Sequence, residues 1–462
     1  MPINEIPTPL SSIKAGPDVA EGIMSLNKDV AINKVPLLIS LLTLLALSLV
    51  FNCGRAQQDT TRDGASYYNE GMKSYNAKDY RGFLTAMQKA AALMADNPIP
   101  IYNVACGYAL TGNKSEAIRW LNRMVDMGID FGAATDHDLD SLHEIPEFAD
   151  VLNRIEKMKT HVGAATVAFT LSEKDLIPEN AAYDPVDRRF FVSSTHKRKI
   201  VEREHDRNVK DFVREGQDGL WTVIGMKVDA KRRLLWVATA TQEIMRGYKE
   251  GDIGKTAVFK YDLTSNLLAK KYPLIDTARH LFNDLALDSR GNVFITESLT
   301  GWVYWISSED DSLRPLVKTA RLINGVTVSE DDRNLFLGTY DQGLLRVDLK
   351  TKEVTKLQMA EGISTFNVDG IYSYRGSLLV VQTRLNRVTR FYLNDARTRI
   401  EQMDVLEANN PHFDDPTTGC LVGDTLYVVA NCQFRKFDSE NKKFPLEKLS
   451  EPVILAVKLM EE

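Results

Sequence analysis

One phrase of sequence recurs six times between residues 179 and 429, and this repetition constrains the fold more than any other feature. Each copy consists of an opening residue, an alternating β-rich run, a tight turn and an apolar run. The copies occupy residues 179–192, 224–237, 283–296, 324–337, 369–381 and 418–429. Their opening residues are 41 to 59 residues apart, a spacing typical of four-stranded propeller blades. The sequence therefore predicts a mainly β fold, a six-bladed β-propeller in which each phrase forms the two inner strands of a blade.

A propeller has to close its ring, because an open ring leaves strand edges without partners. Strand-like runs flank the phrases on both sides, at residues 165–171 and 453–459. We expect one of these runs to complete a blade formed mainly by the other terminus, in a propeller that spans residues 165–460. A β-sandwich is the competing fold, but it gives no reason for six copies of one phrase.

The opening residue of each phrase begins the innermost strand, so we expect it to face the central channel. The six opening residues are Glu179, Ile224, Asn283, Asn324, Asp369 and Thr418. Four of them carry a carboxylate or amide oxygen, and such oxygens suit a hard divalent cation. Calcium fits best, because Mg²⁺ demands stricter octahedral geometry and Zn²⁺ prefers His or Cys ligands. We therefore predict one Ca²⁺ ion bound by the four oxygen-bearing residues.

A structural explanation competes for two of these positions. Asn and Asp favour turns, so the Asn-Gly pair at 324–325 and the Asp-Gly pair at 369–370 could simply start a strand. This explanation does not account for Glu179, which occupies the same opening position in its own phrase. Two carboxylates that face each other in a channel repel, and a bound cation removes that cost.

The residues around four opening positions form a series with a known counterpart. They are Pro178-Glu179-Asn180, Phe282-Asn283-Asp284, Ile323-Asn324-Gly325 and Val368-Asp369-Gly370. In this order the series resembles the gluconolactonase/regucalcin (senescence marker protein) family over roughly residues 170–435. The resemblance implies a six-bladed propeller with a divalent cation, usually calcium, held by Glu179, Asn283, Asn324 and Asp369. It also implies that Asp369 acts as a general base in lactone hydrolysis.

The sequence departs from that family at a place that concerns the substrate. Regucalcin-like members carry an Arg two residues before the first Asn ligand, and this chain has Leu281 there. Arg279 and His280 are nearby candidates to replace it, so the substrate-binding residues stay open. Asp284 is expected to orient Asn283 from outside the ligand set.

These features favour a divalent-cation-dependent hydrolase that opens a lactone or related ester of a small molecule, such as a sugar lactone. The alternative is a non-catalytic propeller with structural calcium that binds a ligand or partner, because propellers host many functions. A phosphotriesterase is a further alternative, since diisopropyl fluorophosphatase uses a similar ligand set. The chain has 57 basic and 63 acidic residues, a net charge of −6, and lacks the basic footprint of a nucleic-acid-binding protein.

A second repeat lies upstream, within residues 62–160, and its pattern is helical. Three positions of a first unit recur 34 residues later: Tyr68, Asn69 and Gly71 match Tyr102, Asn103 and Ala105. This period resembles the tetratricopeptide (TPR) repeat, so the sequence predicts an N-terminal all-α TPR-like domain. Two repeats are fewer than a free-standing solenoid needs. We expect this domain to pack against the neighbouring propeller and to serve either as a spacer or as a binding site for a protein partner.

Residues 1–56 are interpreted as a signal peptide or membrane anchor. The apolar run 35–51 follows Lys28 and Lys34 and ends in small residues, an order typical of a secretory signal. An uncleaved anchor and a lipid-anchored Cys53 are the alternatives. All three place the remainder outside the cytoplasm, as a periplasmic, secreted or membrane-anchored protein. There Cys420 and Cys432 could pair, but two buried thiols explain them equally well.

Overall fold

The computed structural model describes residues 63–95, 97–204, 208–276, 278–319, 322–340, 342–438 and 441–459. The α-helices are α1 (Gly64–Asn76), α2 (Tyr80–Leu93), α3 (Pro98–Leu110), α4 (Lys114–Asp126) and α5 (Pro146–Met158). The signal or anchor expected in residues 1–56 lies outside the described residues, so it and the extracytoplasmic location stay predictions. Among the helices that are described, none has the length and apolar character needed to cross a membrane.

The helices α1–α5, which we call the helical region, pack consecutively. Short turns join the helices from α1 to α4, and a longer segment that contains the 3-10 helix His137–Leu142 joins α4 to α5. Asp63 caps α1 by accepting a hydrogen bond from the Ser66 amide at 2.8 Å, which satisfies a donor that the helix leaves free. α3 is buried on nearly all sides. The 34-residue period places Tyr68 on α1 and Tyr102 on α3, so the repeating unit is a pair of helices. The assignment to the TPR family and a protein partner for this region stay predictions.

The strands begin with β1 (Thr166–Thr170) and then form the blades in chain order, inner strand first. Blade 1 contains β2 (Ala181–Asp184), β3 (Arg189–Ser194), β4 (Lys199–Arg203) and β5 (Val209–Val213). Blade 2 contains β6 (Thr222–Asp229), β7 (Leu234–Ala240), β8 (Thr256–Asp262) and β9 (Leu267–Leu274). Blade 3 contains β10 (Phe282–Leu287), β11 (Val293–Glu297), β12 (Trp302–Ile306) and β13 (Leu313–Lys318).

The second half of the ring repeats this arrangement. Blade 4 contains β14 (Ile323–Val328), β15 (Asn334–Thr339), β16 (Leu344–Asp348) and β17 (Val354–Lys356). Blade 5 contains β19 (Val368–Tyr374), β20 (Ser377–Gln382), β21 (Arg387–Leu393) and β22 (Arg399–Ala408), with the short β18 (Gln358–Met359) at its outer edge. Blade 6 contains β23 (Gly419–Val422), β24 (Thr425–Val429), β25 (Val453–Lys458) and β1. The expected mainly β, six-bladed propeller is confirmed, and each phrase supplies the two inner strands of one blade.

The N-terminal strand β1 closes the ring. It pairs with β25 in antiparallel register, with Thr166 opposite Ala456 and Thr170 opposite Val453. Blade 6 is therefore built from the C-terminal end of the chain and completed by the strand that precedes blade 1. This is one of the two closures expected from the flanking runs, and it gives the outer edge of β25 a hydrogen-bonding partner.

The inner strands of neighbouring blades approach each other closely around the channel. A Cβ atom at Gly325 would lie 2.0 Å from the carbonyl oxygen of Asp369 on the next inner strand. A Cβ atom at Gly225 would lie 2.5 Å from the carbonyl oxygen of Asn283. Neither glycine has a positive φ angle. Glycine is present here because two backbones meet, so the turn explanation for the pair at 324–325 does not apply.

The helical region packs on blade 5, at the end of the propeller where β19 begins. Phe366, just before β19, belongs to the core of the helical region, and its ring lies 6.3 Å from that of Phe131. Leu385, between β20 and β21, packs against the same core. The connection to β1 is fixed by Glu407, a fully buried residue whose carboxylate accepts a hydrogen bond from the Ala165 amide at 2.9 Å. The two parts therefore share one packed interface.

We predict that ring closure depends on Phe169 in β1. Its side chain is 7% exposed and its ring lies 5.1 Å from that of Phe190 in blade 1. Phe169→Ala should lower the free energy of unfolding by about 3–5 kcal/mol, because it leaves a cavity between blades. Urea denaturation measures the change. Val167→Ala on the same strand is the control, since Val167 is 44% exposed, and an equal loss in both variants would contradict the prediction.

Candidate metal centre in the propeller channel

All six opening residues lie at the start of the inner strands, at one end of the channel. We call this end the channel mouth. Glu179 lies two residues before β2, Thr418 directly precedes β23, and the other four lie within the first three residues of their strands. The four predicted ligands are between 2% and 8% exposed: Asn324 is 2%, Asp369 is 3%, and Glu179 and Asn283 are each 8%. Four oxygen-bearing side chains are thus buried at equivalent places in four blades.

Two buried carboxyl groups interact across the channel from blades that are not neighbours. Burial raises the pKa of Glu179 well above its ordinary value, and the negative charges of Asp369 and Asp284 raise it further. Burial also raises the pKa of Asp369, to about 6, although hydrogen bonds from Thr383 and Thr417 oppose the shift. Side chains of blades 1 and 5 can influence each other in this way only when both point towards the axis. The geometry therefore brings Glu179 and Asp369 together.

Three hydroxyl groups hold three of the predicted ligands, and all three come from the same position in a blade. Each hydroxyl residue directly follows the second strand of its blade and lies 14 to 16 residues after the ligand. The hydrogen-bonded pairs are Asn283 with Ser298 (3.1 Å), Asn324 with Tyr340 (2.8 Å) and Asp369 with Thr383 (2.8 Å). Sequence reasoning did not identify these residues. A Ser, Thr or Tyr at a fixed distance after each opening residue is the signal that would have found them.

The hydroxyl partners decide which ligand atoms remain available. The Asn324 amide nitrogen donates to Tyr340, so its Oδ1 is turned away from that hydroxyl. Asp369 accepts the hydroxyl hydrogen bonds of Thr383 and Thr417 on Oδ2 alone. Oδ1 of Asn324 and Oδ1 of Asp369 are both buried and have no partner at hydrogen-bond distance and angle among the described residues. The Asn324 side chain is still near enough to lower the pKa of Asp369 slightly, but no hydrogen bond of ordinary geometry joins the two. A buried oxygen without a partner costs about 1–3 kcal/mol, and a hard cation would satisfy both oxygens.

Asp284 has a different partner from the one expected. Its Oδ2 accepts a hydrogen bond from the Val326 amide at 3.3 Å, and its Oδ1 lies 3.8 Å from the Lys227 ammonium group. The Asn283 amide is held by Ser298 instead, so the orienting role expected of Asp284 belongs to Ser298. Burial raises the pKa of Asp284, and the positive charge of Lys227 opposes that shift. Asp284 therefore contributes a third buried carboxylate, which Lys227 balances.

The position where regucalcin-like proteins carry Arg belongs to an apolar cluster in this chain. Leu281 packs against Ile224, the opening residue of the blade 2 phrase. His280 is bound to Asp276, with Nε2 2.9 Å from the carboxylate, and Arg279 is exposed. Neither of these two residues contacts a predicted ligand in the part of the chain that is described. An apolar cluster therefore occupies the position of the family's arginine, and no neighbouring cationic side chain takes its place.

Both cysteines of blade 6 are free thiols. Cys420 lies on β23, and burial raises the pKa of its thiol to about 12. Cys432, which follows β24, is buried and its thiol pKa is also raised by burial. Of the two alternatives that the sequence left open, the structure contains two free thiols, of which Cys432 is buried and Cys420 half-buried.

A scan of protein-family models and a search of curated proteins both find no match to this chain. Similar solved structures include a gluconolactonase from Xanthomonas campestris, 14% identical, covering 65% of this chain and 92% of that one, with a TM-score of 0.44. The luciferin-regenerating enzyme is 14% identical, with coverages of 64% and 98% and a TM-score of 0.46. PQQ-bound aldose sugar dehydrogenase from Streptomyces coelicolor is 13% identical, with coverages of 64% and 98% and a TM-score of 0.45. Likeness of this extent carries no conclusion about activity, and the propeller is established by the strand pairing of the chain itself.

Proposed function

We propose that the channel binds one calcium ion and catalyses the hydrolysis of a lactone or a related ester of a small molecule. The observation that carries this proposal is the pair of buried oxygens without partners, Oδ1 of Asn324 and Oδ1 of Asp369. Glu179 and Asn283 complete the ligand set from blades 1 and 3. The charges of Glu179 and Asp369 match that of a divalent cation, and all four donors are hard oxygens.

The chain's own residues would divide the chemistry between them. A bound calcium ion supplies Lewis acidity, which polarises an ester carbonyl and stabilises the negative charge that develops on its oxygen. Thr383 and Thr417 fix Oδ2 of Asp369 at 2.8 and 2.9 Å. Oδ1 would hold the cation with one lone pair and accept a proton from the attacking water on the other. The water oxygen bonds to the carbonyl carbon, the ring carbon–oxygen bond breaks, and the leaving alkoxide takes the proton back from Asp369.

Without a bound cation the pKa of Asp369 is raised to about 6, and a bound cation lowers it because it favours the charged carboxylate. With calcium bound, Asp369 is therefore deprotonated and available to accept a proton. Ile224 and Leu281 form a buried apolar cluster at the same end of the channel. The carbon skeleton of a substrate would lie on the channel side of this cluster, next to the reacting group.

We predict that Glu179→Gln changes stability and calcium affinity in opposite directions. Without calcium the melting temperature should rise, because the variant removes one of three buried like charges. Calcium affinity should fall by about tenfold or more, because an anionic ligand is lost. Thermal denaturation in EDTA and calorimetric titration with Ca²⁺ measure the two effects. Glu353→Gln, at an exposed turn, should change neither, and unchanged calcium affinity in Glu179→Gln would place the ion elsewhere.

We also predict that Asp369 makes the calcium-free protein less stable as the pH rises. Its pKa in the folded protein is about 6, above the ordinary value of 3.8, so the folded state binds the proton more tightly. This contribution is complete below pH 3.8 and is lost as the pH rises to about 6, and it amounts to about 3 kcal/mol. The difference in unfolding free energy between the native chain and Asp369→Asn, measured by urea denaturation in EDTA across this range, isolates it. A difference that does not vary with pH would contradict the prediction.

The activity itself is tested on a panel of sugar lactones. Calcium-loaded protein should hydrolyse at least one lactone, and chelation should abolish the reaction. Asp369→Asn should lower kcat by about 10²–10⁴-fold, the usual contribution of a general base. The control is Asp404→Asn on the outer strand β22, where Asp404 accepts a hydrogen bond from Tyr392. Activity that survives both chelation and Asp369→Asn refutes the proposal, and calcium binding without any turnover supports a non-catalytic propeller instead.

A further inference from the structure

The single turn Thr383–Leu385, between β20 and β21, directs three consecutive side chains to three different places. The Thr383 hydroxyl donates to Oδ2 of Asp369 at 2.8 Å. Leu385 packs into the core of the helical region. Between them, the backbone amide of Arg384 is fixed by Oδ1 of Asn367 at 2.8 Å. The turn therefore connects the proposed metal centre to the helical region, with an arginine at its midpoint.

Arg384 lies at the channel mouth, next to the start of β19, the inner strand that carries Asp369. Its backbone amide is bound by Asn367, two residues before Asp369, and the preceding residue Thr383 donates to Asp369 itself. Nη2 of Arg384 is buried and has no hydrogen-bond partner among the described residues. A buried donor of this kind is costly unless a ligand satisfies it.

Other cations near this end of the propeller already have partners. Nε of Arg435 donates to both carboxylate oxygens of Asp415, at 2.8 and 3.0 Å. Arg387, the next arginine along the chain, donates to Oε1 of Gln382 at 2.7 Å. Arg384 makes no ion pair with any residue in the described ranges. Nη2 of Arg384 is therefore the guanidinium donor at this turn that is left for a ligand.

The balance of charge in the channel points in the same direction. Glu179, Asp369 and Asp284 contribute three negative charges, and Lys227 next to Asp284 contributes one positive charge. A divalent cation neutralises the remainder. With the cation bound, the charges of these channel residues sum to zero. None of the three carboxylates is then left to balance the positive charge of Arg384.

We propose that Arg384 binds a carboxylate group of the substrate at the channel mouth, so that the substrate is a lactone or ester that also carries a free acid. The proposal rests on the function proposed above and names the class of substrate for that site. A guanidinium presents a planar pair of N–H donors that matches the two oxygens of a carboxylate. Arg384 is provided by blade 5, whereas the position two residues before Asn283 in blade 3 holds Leu281.

The ring geometry orients such a substrate. Blade 5, which carries Arg384, lies opposite blade 2, which carries Ile224. Ile224 and Leu281 form an apolar surface at that side of the mouth. An acid group directed to Arg384 therefore places the carbon skeleton towards the apolar side, across the predicted ligands. The polar side of the mouth, at Arg384, would bind the acid end of the substrate, and the apolar side, at Ile224, would bind its carbon skeleton.

The helical region acts on this site through the turn. Gln382 donates to the carbonyl oxygens of Ser364 and Phe366, at 3.1 and 2.7 Å, and thereby holds the segment that packs on the helical region. Leu385 is anchored in that same core. We therefore assign Leu385 as a positioning residue, since it touches neither substrate nor metal but fixes the direction of Arg384.

The test uses two sugar lactones that differ at one group. D-glucaro-1,4-lactone carries a carboxylate where D-glucono-1,4-lactone carries a CH₂OH group. Dissociation constants, or KM values where a lactone turns over, are measured on the calcium-loaded full chain. The native chain should prefer the acid lactone by about tenfold or more, as expected for a charge-assisted pair. Arg384→Gln should remove this preference. Arg384→Lys should retain part of it, because lysine keeps the positive charge but lacks the planar pair of N–H donors.

Two further variants separate binding from folding. Arg375→Gln, at the other end of blade 5 and paired with Asp424, should keep the full preference. Leu385→Ala should reduce the preference without changing calcium affinity, and Leu385→Met should restore it. Equal affinity for the two lactones, binding of neither, or a preference that survives Arg384→Gln overturns the proposal for Arg384. Calcium affinity is measured for every variant, so loss of calcium binding in the native chain would count against the proposed function itself.

Discussion

The close packing of six inner strands around one channel is the constraint on which the rest of this structure depends. At Gly325 and Gly225 the next backbone is so near that a Cβ atom would overlap a carbonyl oxygen. The residues before these glycines, Ile224 and Asn324, are opening residues of their phrases, and the other opening residues occupy the equivalent place in their blades. Four oxygen-bearing side chains are therefore buried at the channel mouth.

That cost explains the arrangement of the surrounding groups. Carboxylates at the axis lose hydration and repel each other, which raises the pKa of Glu179 and of Asp369. Ser298, Tyr340 and Thr383 bind one atom of each of three ligands. Oδ1 of Asn324 and Oδ1 of Asp369 stay buried without a partner among the described residues. Outer hydrogen bonds that orient donor atoms are typical of metal centres, and the cation proposed above would offset the cost of burying these oxygens.

The helical region packs directly against the propeller. Its core includes Phe366 and contacts Leu385, residues that flank the inner strands of blade 5. The core of the helical region is formed almost wholly by its own residues, and the propeller adds Phe366. The region in turn contacts Leu385 and so fixes the turn that carries Arg384. The same contacts therefore serve both the folding of the helices and the shape of the channel mouth.

The sequence by itself determined the blades and the phase of the opening residues, because a repeat places equivalent residues at equivalent points. It also limited ring closure to two possibilities. The observed pairing of β1 with β25 shows which of the two the chain adopts. Only the tertiary structure decided the contacts between segments distant in sequence: Ser298 and not Asp284 holds Asn283, and Arg384 reaches the mouth from blade 5. Such contacts depend on the turns that join the strands, and these turns differ from blade to blade, so no periodic pattern records them.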